Sequence, residues 1–174
     1  RLCNEFSVVT FGSANADYFL GDGWLRGPSG PIVDVATMRR GLPHDITNAL
    51  AASALVIESG LAGPDAIASA VAAFQAPPHR LEPAGEAGGV RYFNDSKATS
   101  PHAALTAIRG FERIVLLAGG LNKGLDLASL ATEHERVKAV VGLGTSAGEI
   151  VAAFQPYCPT RIATSMAQAV EFAA

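Results

Sequence analysis

Apolar and polar positions change period several times along this 174-residue chain, and each change predicts an element. Residues 5–11 read E-F-S-V-V-T-F, rich in β-branched and aromatic side chains, and stop at Gly12, which predicts a strand. Short extended pieces follow around residues 18–20, 24–26 and 32–37. Gly21-Asp22-Gly23 and the run from Gly27 to Pro31 separate them as turns, the grammar of an antiparallel meander. Over 45–59 the apolar spacing becomes helical, with Ile46, Ala49, Leu50, Ala52, Ser53 and Val56 on one stripe and Gly60 as the stop. A second helix opens at Pro64 and carries Ile67, Ala70, Val71 and Phe74. Pro77-Pro78 ends it, because each proline withholds an N–H and disfavours helix in the residue before it.

Beyond the prolines, strand and helix patterns alternate. Strands are predicted over 90–94, 113–118, 137–141 and 161–164, and helices over 101–109, 127–133, 145–154 and 166–174. Apolar strands alternating with helices predict an α/β domain with a Rossmann-like, mostly parallel sheet covered on both faces. Such sheets bind ligands outside the carboxyl ends of their strands. The polar motifs fall at the predicted strand ends.

Composition narrows the function. A hydrophobic fraction of 49% excludes a disordered chain. Thirteen basic against sixteen acidic residues, a net charge of −3, argue against nucleic-acid binding, which needs a basic excess or stripe. Cys3 and Cys158 lie far apart without C-x-x-C spacing, which suits free thiols in a reducing compartment better than a disulfide or zinc site. The longest apolar run, 114–118, is too short to insert into a membrane, and no signal-peptide pattern occurs. The chain starts without Met in strand-like sequence and stops inside helix-like sequence, so both ends read as cut.

Four runs carry candidate chemistry. Arg80, after Pro77-Pro78-His79, is either an anion-forking arginine on a rigid turn or a solvated linker residue. Asn94-Asp95-Ser96-Lys97-Ala98-Thr99 lies between a strand and a helix that Ser100 can cap. Asp95 there suits ribose hydroxyls, Lys97 a phosphate or carboxylate, and Thr99 an anion at the helix mouth; an ordinary turn fits equally well. Gly119-Gly120-Leu121-Asn122-Lys123-Gly124 is a glycine-rich loop with one cation. It is no P-loop, because that motif needs G-K-[ST] opening a helix. The run from Gly142 to Ala147 formally fits the dinucleotide fingerprint. Its acidic partner is missing where the next strand ends, so tight strand–helix packing explains these glycines better. In the first third, Asp45 reads as a helix-start residue, and Asn48 as either a surface amide or a reader of a purine edge. No histidine has a ligand-like partner, so no metal site is assigned.

In order and spacing, the runs P-H-D-I-T-N-A-L-A-A, P-P-H-R-L-E, N-D-S-K-A-T and G-G-L-N-K-G-L-D resemble the Mur ligases that build the peptidoglycan stem peptide. The likeness covers nearly the whole chain and is greatest to the branch that adds D-glutamate. P-H-R and D-S-K-A-T are specific to the family; N-K-G-L-D favours the branch more weakly. The resemblance implies that residues 1–76 are the β-then-α end of a P-loop-type central ATP-binding domain. Residues 77–174 would be a C-terminal amino-acid-adding domain, truncated at its end. It further implies a bacterial cytoplasmic ligase, monomeric at full length, that uses ATP and Mg²⁺ to join D-glutamate to UDP-N-acetylmuramoyl-L-alanine. By the same resemblance Asn48 lies near the adenine, Arg80 reaches the ATP phosphates and Asp95 holds the ribose. Lys97 and Thr99 line the junction of ATP and amino acid, and Lys123 pairs with a D-glutamate carboxylate. Asp45 stands where many members carry asparagine. The P-loop and the metal ligands are expected upstream of Arg1. The competing expectations are another ligase of the superfamily, including the folate-glutamylating type, a nicotinamide-dependent oxidoreductase built on residues 142–147, and a non-catalytic binding module.

Overall fold

In the computed structural model, which describes residues 8–12 and 14–174, the chain divides into two compact units, residues 1–75 and 76–174. In the first, β1 (Phe19–Gly21), β2 (Trp24–Gly27) and β3 (Gly30–Asp34) form an antiparallel meander in that order. Asp22-Gly23 closes the first hairpin with both residues at positive φ, 51° and 78°. This left-handed pair matches the right-handed twist of the flanking strands. A 3-10 turn at Val35–Thr37 leads to α1 (Pro43–Glu58) and α2 (Pro64–Ala73).

The first unit's core joins Tyr18, Leu25, Ile32 and Val33 from the sheet region to Ala49, Leu50, Ala54 and Ile67 from the helices. Each fully buried large side chain contributes about 1.5–3 kcal/mol relative to exposure. Tyr18 is wholly buried, and its hydroxyl donates to Glu58 Oε1 at 2.7 Å. Burial, helped by that carboxylate, pushes the phenol up to about 12. Ser53 is buried without penalty because its hydroxyl donates to the Ala49 carbonyl one turn back.

Several expectations change here. The predicted strand over 5–11 lies outside the described residues up to Ser7; Val8 to Phe11 are exposed, and Phe11 makes one isolated bridge to Tyr18. The first helix begins at Pro43, not Asp45, since proline suits the first helical position. Its buried stripe takes Ala54 and leaves Ala52 exposed, while Ala70 of α2 and Phe74 just after it face solvent.

The second unit opens with β4 (Glu82–Ala87) and β5 (Val90–Asn94), an antiparallel pair that forms a sheet of its own. The predicted strand over 90–94 therefore exists but is not a strand of the parallel sheet. Its partner E-P-A-G-E-A has no apolar run and escapes a hydrophobicity reading; the local clue is Gly88-Gly89, both at positive φ, joining paired Ala87 and Val90. Phe93 of β5 meets Phe111 at 5.0 Å between ring centroids.

After α3 (Pro101–Arg109), capped by the Ser100 hydroxyl accepting from Ala103 N–H, comes the parallel sheet. Its order is β6 (Ile114–Gly119), β7 (Val137–Leu143), β8 (Thr160–Ala163). Consecutive residues of β7 point to opposite faces. Val140 packs with Ile108, Leu130, Ile150 and Phe154, and Val141 with Ala163 and Ala169. Helices thus cover both faces: α3 and α4 (Ala147–Phe154) on one, α5 (Met166–Ala173) on the other. The helix expected over 127–133 is instead a 3-10 segment, Leu127–Arg136, kinked at Glu133. Glu133 sits there between Arg109 and Arg136, and the 2.7 Å hydrogen bond from Arg109 holds its carboxyl below the ordinary range.

Candidate functional site

Arg80 lies between two residues in the left-handed backbone region, His79 at φ 64° and Leu81 at φ 47°. Non-glycine residues there cost of order 1 kcal/mol or more each, and such strain persists only where surrounding bonds impose it. Those bonds come from the second motif. Leu81 N–H donates to Asp95 Oδ1 at 3.0 Å, and Lys97 N–H donates to the His79 carbonyl at 3.1 Å. Asn94 Oδ1 accepts from Ser96 N–H, which turns its amide nitrogen toward His79 Nδ1 at 2.9 Å. That ring nitrogen is therefore the acceptor. Glu82 completes the turn by accepting from His79 N–H at 2.9 Å. The buried Leu81 side chain anchors the loop from below.

The P-H-R and N-D-S-K runs thus interlock, and Arg80, Asp95 and Lys97 share one hydrogen-bonded loop pair. Arg80 and Lys97 are exposed and Asp95 half-buried. The parallel sheet does not present this loop pair, because β5 is not one of its strands. Thr99 is exposed and its N–H is already committed to the Lys97 carbonyl, so its backbone donor does not serve an anion at the mouth of α3.

The glycine-rich loop does follow the sheet's carboxyl edge, where Gly119 is in register with Leu143. A Cβ on Gly119 would run into the Leu143 carbonyl, so only glycine allows the two strand ends to lie this close. Lys123 is exposed, and its ammonium has no hydrogen-bond or ion-pair partner among the described residues.

The turn after β7 is filled by protein. The Gly120 carbonyl accepts from Thr145 Oγ1 at 2.8 Å, Ser146 Oγ at 2.8 Å and Ser146 N–H at 3.0 Å. A Cβ on Gly142 would sit 2.8 Å from the Ala147 carbonyl oxygen. These glycines serve strand–helix packing, and the Thr145 and Ser146 hydroxyls and the Ser146 and Ala147 N–H groups are already engaged by the protein.

In the first unit, Arg40 forks onto Asp45 with two 2.7 Å bonds, and Asp45 Oδ2 also accepts from Leu42 N–H at 3.2 Å. Asp45 is a helix-start residue. Asn48, exposed on α1, belongs to this unit, whereas Arg80, Asp95, Lys97, Thr99 and Lys123 belong to the second. Two participants were not singled out as site residues: Glu82, behind His79, and Glu149 of α4, which accepts from Asn122 Nδ2 at 2.7 Å. Glu82 stands inside P-H-R-L-E and was legible by adjacency; Glu149 is 27 residues from its partner and carried no local clue. Among the described residues no group of three His, Cys, Asp or Glu side chains could hold a metal ion.

Fold and site together define a Rossmann-like α/β unit that carries an interlocked loop pair bearing Arg80, Asp95 and Lys97, preceded by a β-then-α unit. The family described as Mur ligase, glutamate ligase domain, matches residues 79–174. A UDP-N-acetylmuramoylalanine–D-glutamate ligase of Frankia casuarinae is 43% identical over 149 residues, which is 83% of this chain and 31% of the relative. The ligase of the same name from Pelotomaculum thermopropionicum is 45% identical over 117 residues, 65% of this chain and 26% of the relative. The chain spans about a third of the length of these relatives or less. Among solved structures, the UDP-N-acetylmuramate-alanine ligase MurC of Thermotoga maritima superimposes with a TM-score of 0.67 at 16% identity, covering 90% of this chain and 39% of that one. MurF of Acinetobacter baumannii gives 0.65 at 19% identity, covering 92% and 38%. These two likenesses concern the fold. The chain belongs to the Mur ligase family.

Proposed function

We propose that this chain is part of an ATP-dependent ligase that adds D-glutamate to UDP-N-acetylmuramoyl-L-alanine. Residues 1–76 would supply the end of its ATP-binding domain, and residues 77–174 most of its amino-acid-adding domain. The observation that carries the reading is the interlocked loop pair, which holds Arg80 on a strained turn beside Asp95 and Lys97. The relatives' printed names support the substrate.

The chemistry proceeds in two displacements. A precursor carboxylate oxygen attacks the γ-phosphorus of ATP, ADP leaves, and an acyl phosphate forms. The amino nitrogen of D-glutamate then attacks the acyl carbon, the C–O bond to phosphate breaks, and the amine's surplus proton passes to solvent. Catalysis of this kind relies on positioning and on neutralising charge around the phosphoryl group. Arg80 and Lys97 provide cations for that task, Asp95 accepts from ribose hydroxyls, Asn48 faces the adenine, and Thr99 and Lys123 receive the amino acid. The metal's ligands are not assigned to this chain.

An enzyme of this type works in the cytoplasm, where ATP is supplied; no described helix is long and apolar enough to cross a membrane. The test is an amino-acid screen with the full-length protein, the nucleotide precursor and ATP. ADP release and amide formation with D-glutamate, over L-alanine and diamino acids, is the expected result. Preference for another amino acid would move the chain to a different branch of the family.

A further inference from the structure

We propose that Glu149 is a positioning residue for Lys123, acting through Asn122, and that this pair sets the affinity for the incoming amino acid's carboxylate. The inference rests on the ligase reading of Lys123 and extends it to a residue outside every motif.

A glycine-rich loop carrying a lysine would ordinarily be mobile, and ordering it on binding would weaken the ligand's hold. This loop is pinned on both sides of Lys123. Upstream, the Gly120 carbonyl takes three donors from Thr145 and Ser146, while Gly120 N–H donates to the Leu143 carbonyl. Next to Lys123, Asn122 spends its whole side-chain amide on fixing the turn, reaching Leu125 downstream. Its Oδ1 accepts from Leu125 N–H at 2.8 Å, and its Nδ2 donates both to the Leu125 carbonyl at 3.0 Å and to Glu149 Oε2 at 2.7 Å. With both amide hydrogens and the oxygen engaged, the Asn122 side chain has one orientation.

Glu149 supplies the one of Asn122's bonds that leaves the loop. It sits in the first turn of α4, and α4 packs on β7, so the loop's geometry is referred to the sheet rather than to itself. The bond is charge-assisted and short, the kind that holds best in water. Lys123, one residue on, keeps its ammonium without a partner among the described residues, fixed at the backbone and open at the tip. That is a preorganised cation: its approach to a carboxylate needs only side-chain motion.

The test uses the full-length ligase and steady-state kinetics with D-glutamate and ATP varied separately. Glu149→Ala is expected to raise the D-glutamate KM roughly tenfold, the size of one lost charged hydrogen bond, with kcat and the ATP KM within about twofold. Glu149→Gln keeps an oxygen facing Asn122 and should restore most of the loss. Because the two residues act in series, Glu149→Ala should add little in an Asn122→Ala background. A purely structural role would instead lower kcat and the melting temperature and raise both KM values together, and that pattern overturns the proposal. An unchanged D-glutamate KM in Glu149→Ala, while Lys123→Ala raises it, also overturns the proposal and leaves the ligase reading standing. No effect of Lys123→Ala on the D-glutamate KM removes the ligase assignment of Lys123 and this proposal with it.

Discussion

At the scale of single residues, the proposed chemistry of a side chain and its structural duty can coincide. Asp95 is the clearest instance: one carboxylate oxygen holds Leu81 N–H and so helps keep Arg80's turn in its left-handed form. Two consequences of Asp95→Ala follow in the full-length enzyme. Loss of charged-acceptor bonds to a ribose raises the ATP KM, by a free energy of roughly 1.5–3 kcal/mol. Loss of the Leu81 bond loosens Arg80 and lowers kcat as well. Asp95→Asn keeps an acceptor for Leu81 and separates the two, leaving kcat closer to wild type while ATP binding still suffers. A rise confined to the D-glutamate KM would show that Asp95 serves the amino acid instead. Asn122 and Glu82 make the same point from the other side, being ordinary polar residues whose importance lies in what they hold.

Among elements, the tie between meander and helix is chemical as well as apolar. Tyr18 precedes β1 directly, and its hydroxyl reaches Glu58 at the last position of α1. The phenol is raised from an ordinary value of 10.0 to about 12 in the folded chain, chiefly by burial. A group whose folded pKa is raised adds stability that is complete below its unfolded pKa and is lost as pH climbs through the folded value. The stabilisation is therefore present up to about pH 10 and fades between about 10 and 12. Trp24, the chain's sole tryptophan, lies in β2 and reports on this unit by fluorescence. Urea titrations should show the wild-type midpoint falling across that window, and Tyr18→Phe should flatten the fall while costing about 1 kcal/mol at neutral pH. Equal slopes in the two proteins would mean that another group governs the alkaline limb.

For the whole molecule, the proposed ligase needs more than this chain. The sequence has no G-K-[ST] loop, and the described residues contain no cluster able to hold a metal. Three phosphates would meet only Arg80 and Lys97, leaving much of their charge uncompensated. The 174-residue chain by itself should therefore turn over no ATP and should bind Mg-ATP at about millimolar strength, about 4 kcal/mol. Titration calorimetry beside an ATPase assay checks both; micromolar binding or steady turnover would reveal a complete site within these residues.

What the sequence determined by itself was the part written in local periodicity. The strands at 114–119 and 137–143 are apolar because both faces are covered, and α1 and α2 carry inward stripes, so their type and rough extent were legible. Proline and glycine marked the ends, as at Pro64, Pro101 and Asp22-Gly23. Tight packing of Gly142 under α4 was legible too, from the missing acidic partner of the dinucleotide pattern. Tertiary structure alone decided the rest. Strand β4 is polar and takes its identity from pairing with β5, which removes β5 from the parallel sheet and moves the Asp95 loop with it. The 3-10 geometry of Leu127–Arg136 accompanies a kink at Glu133, which two arginines, one 24 residues away, hold. The bonds that fix Arg80 and Asn122 cross 14 and 27 residues, to Asp95 and Glu149. Local pattern reports what each segment buries; it carries no information about which distant backbone donor or carboxylate will arrive to satisfy a turn.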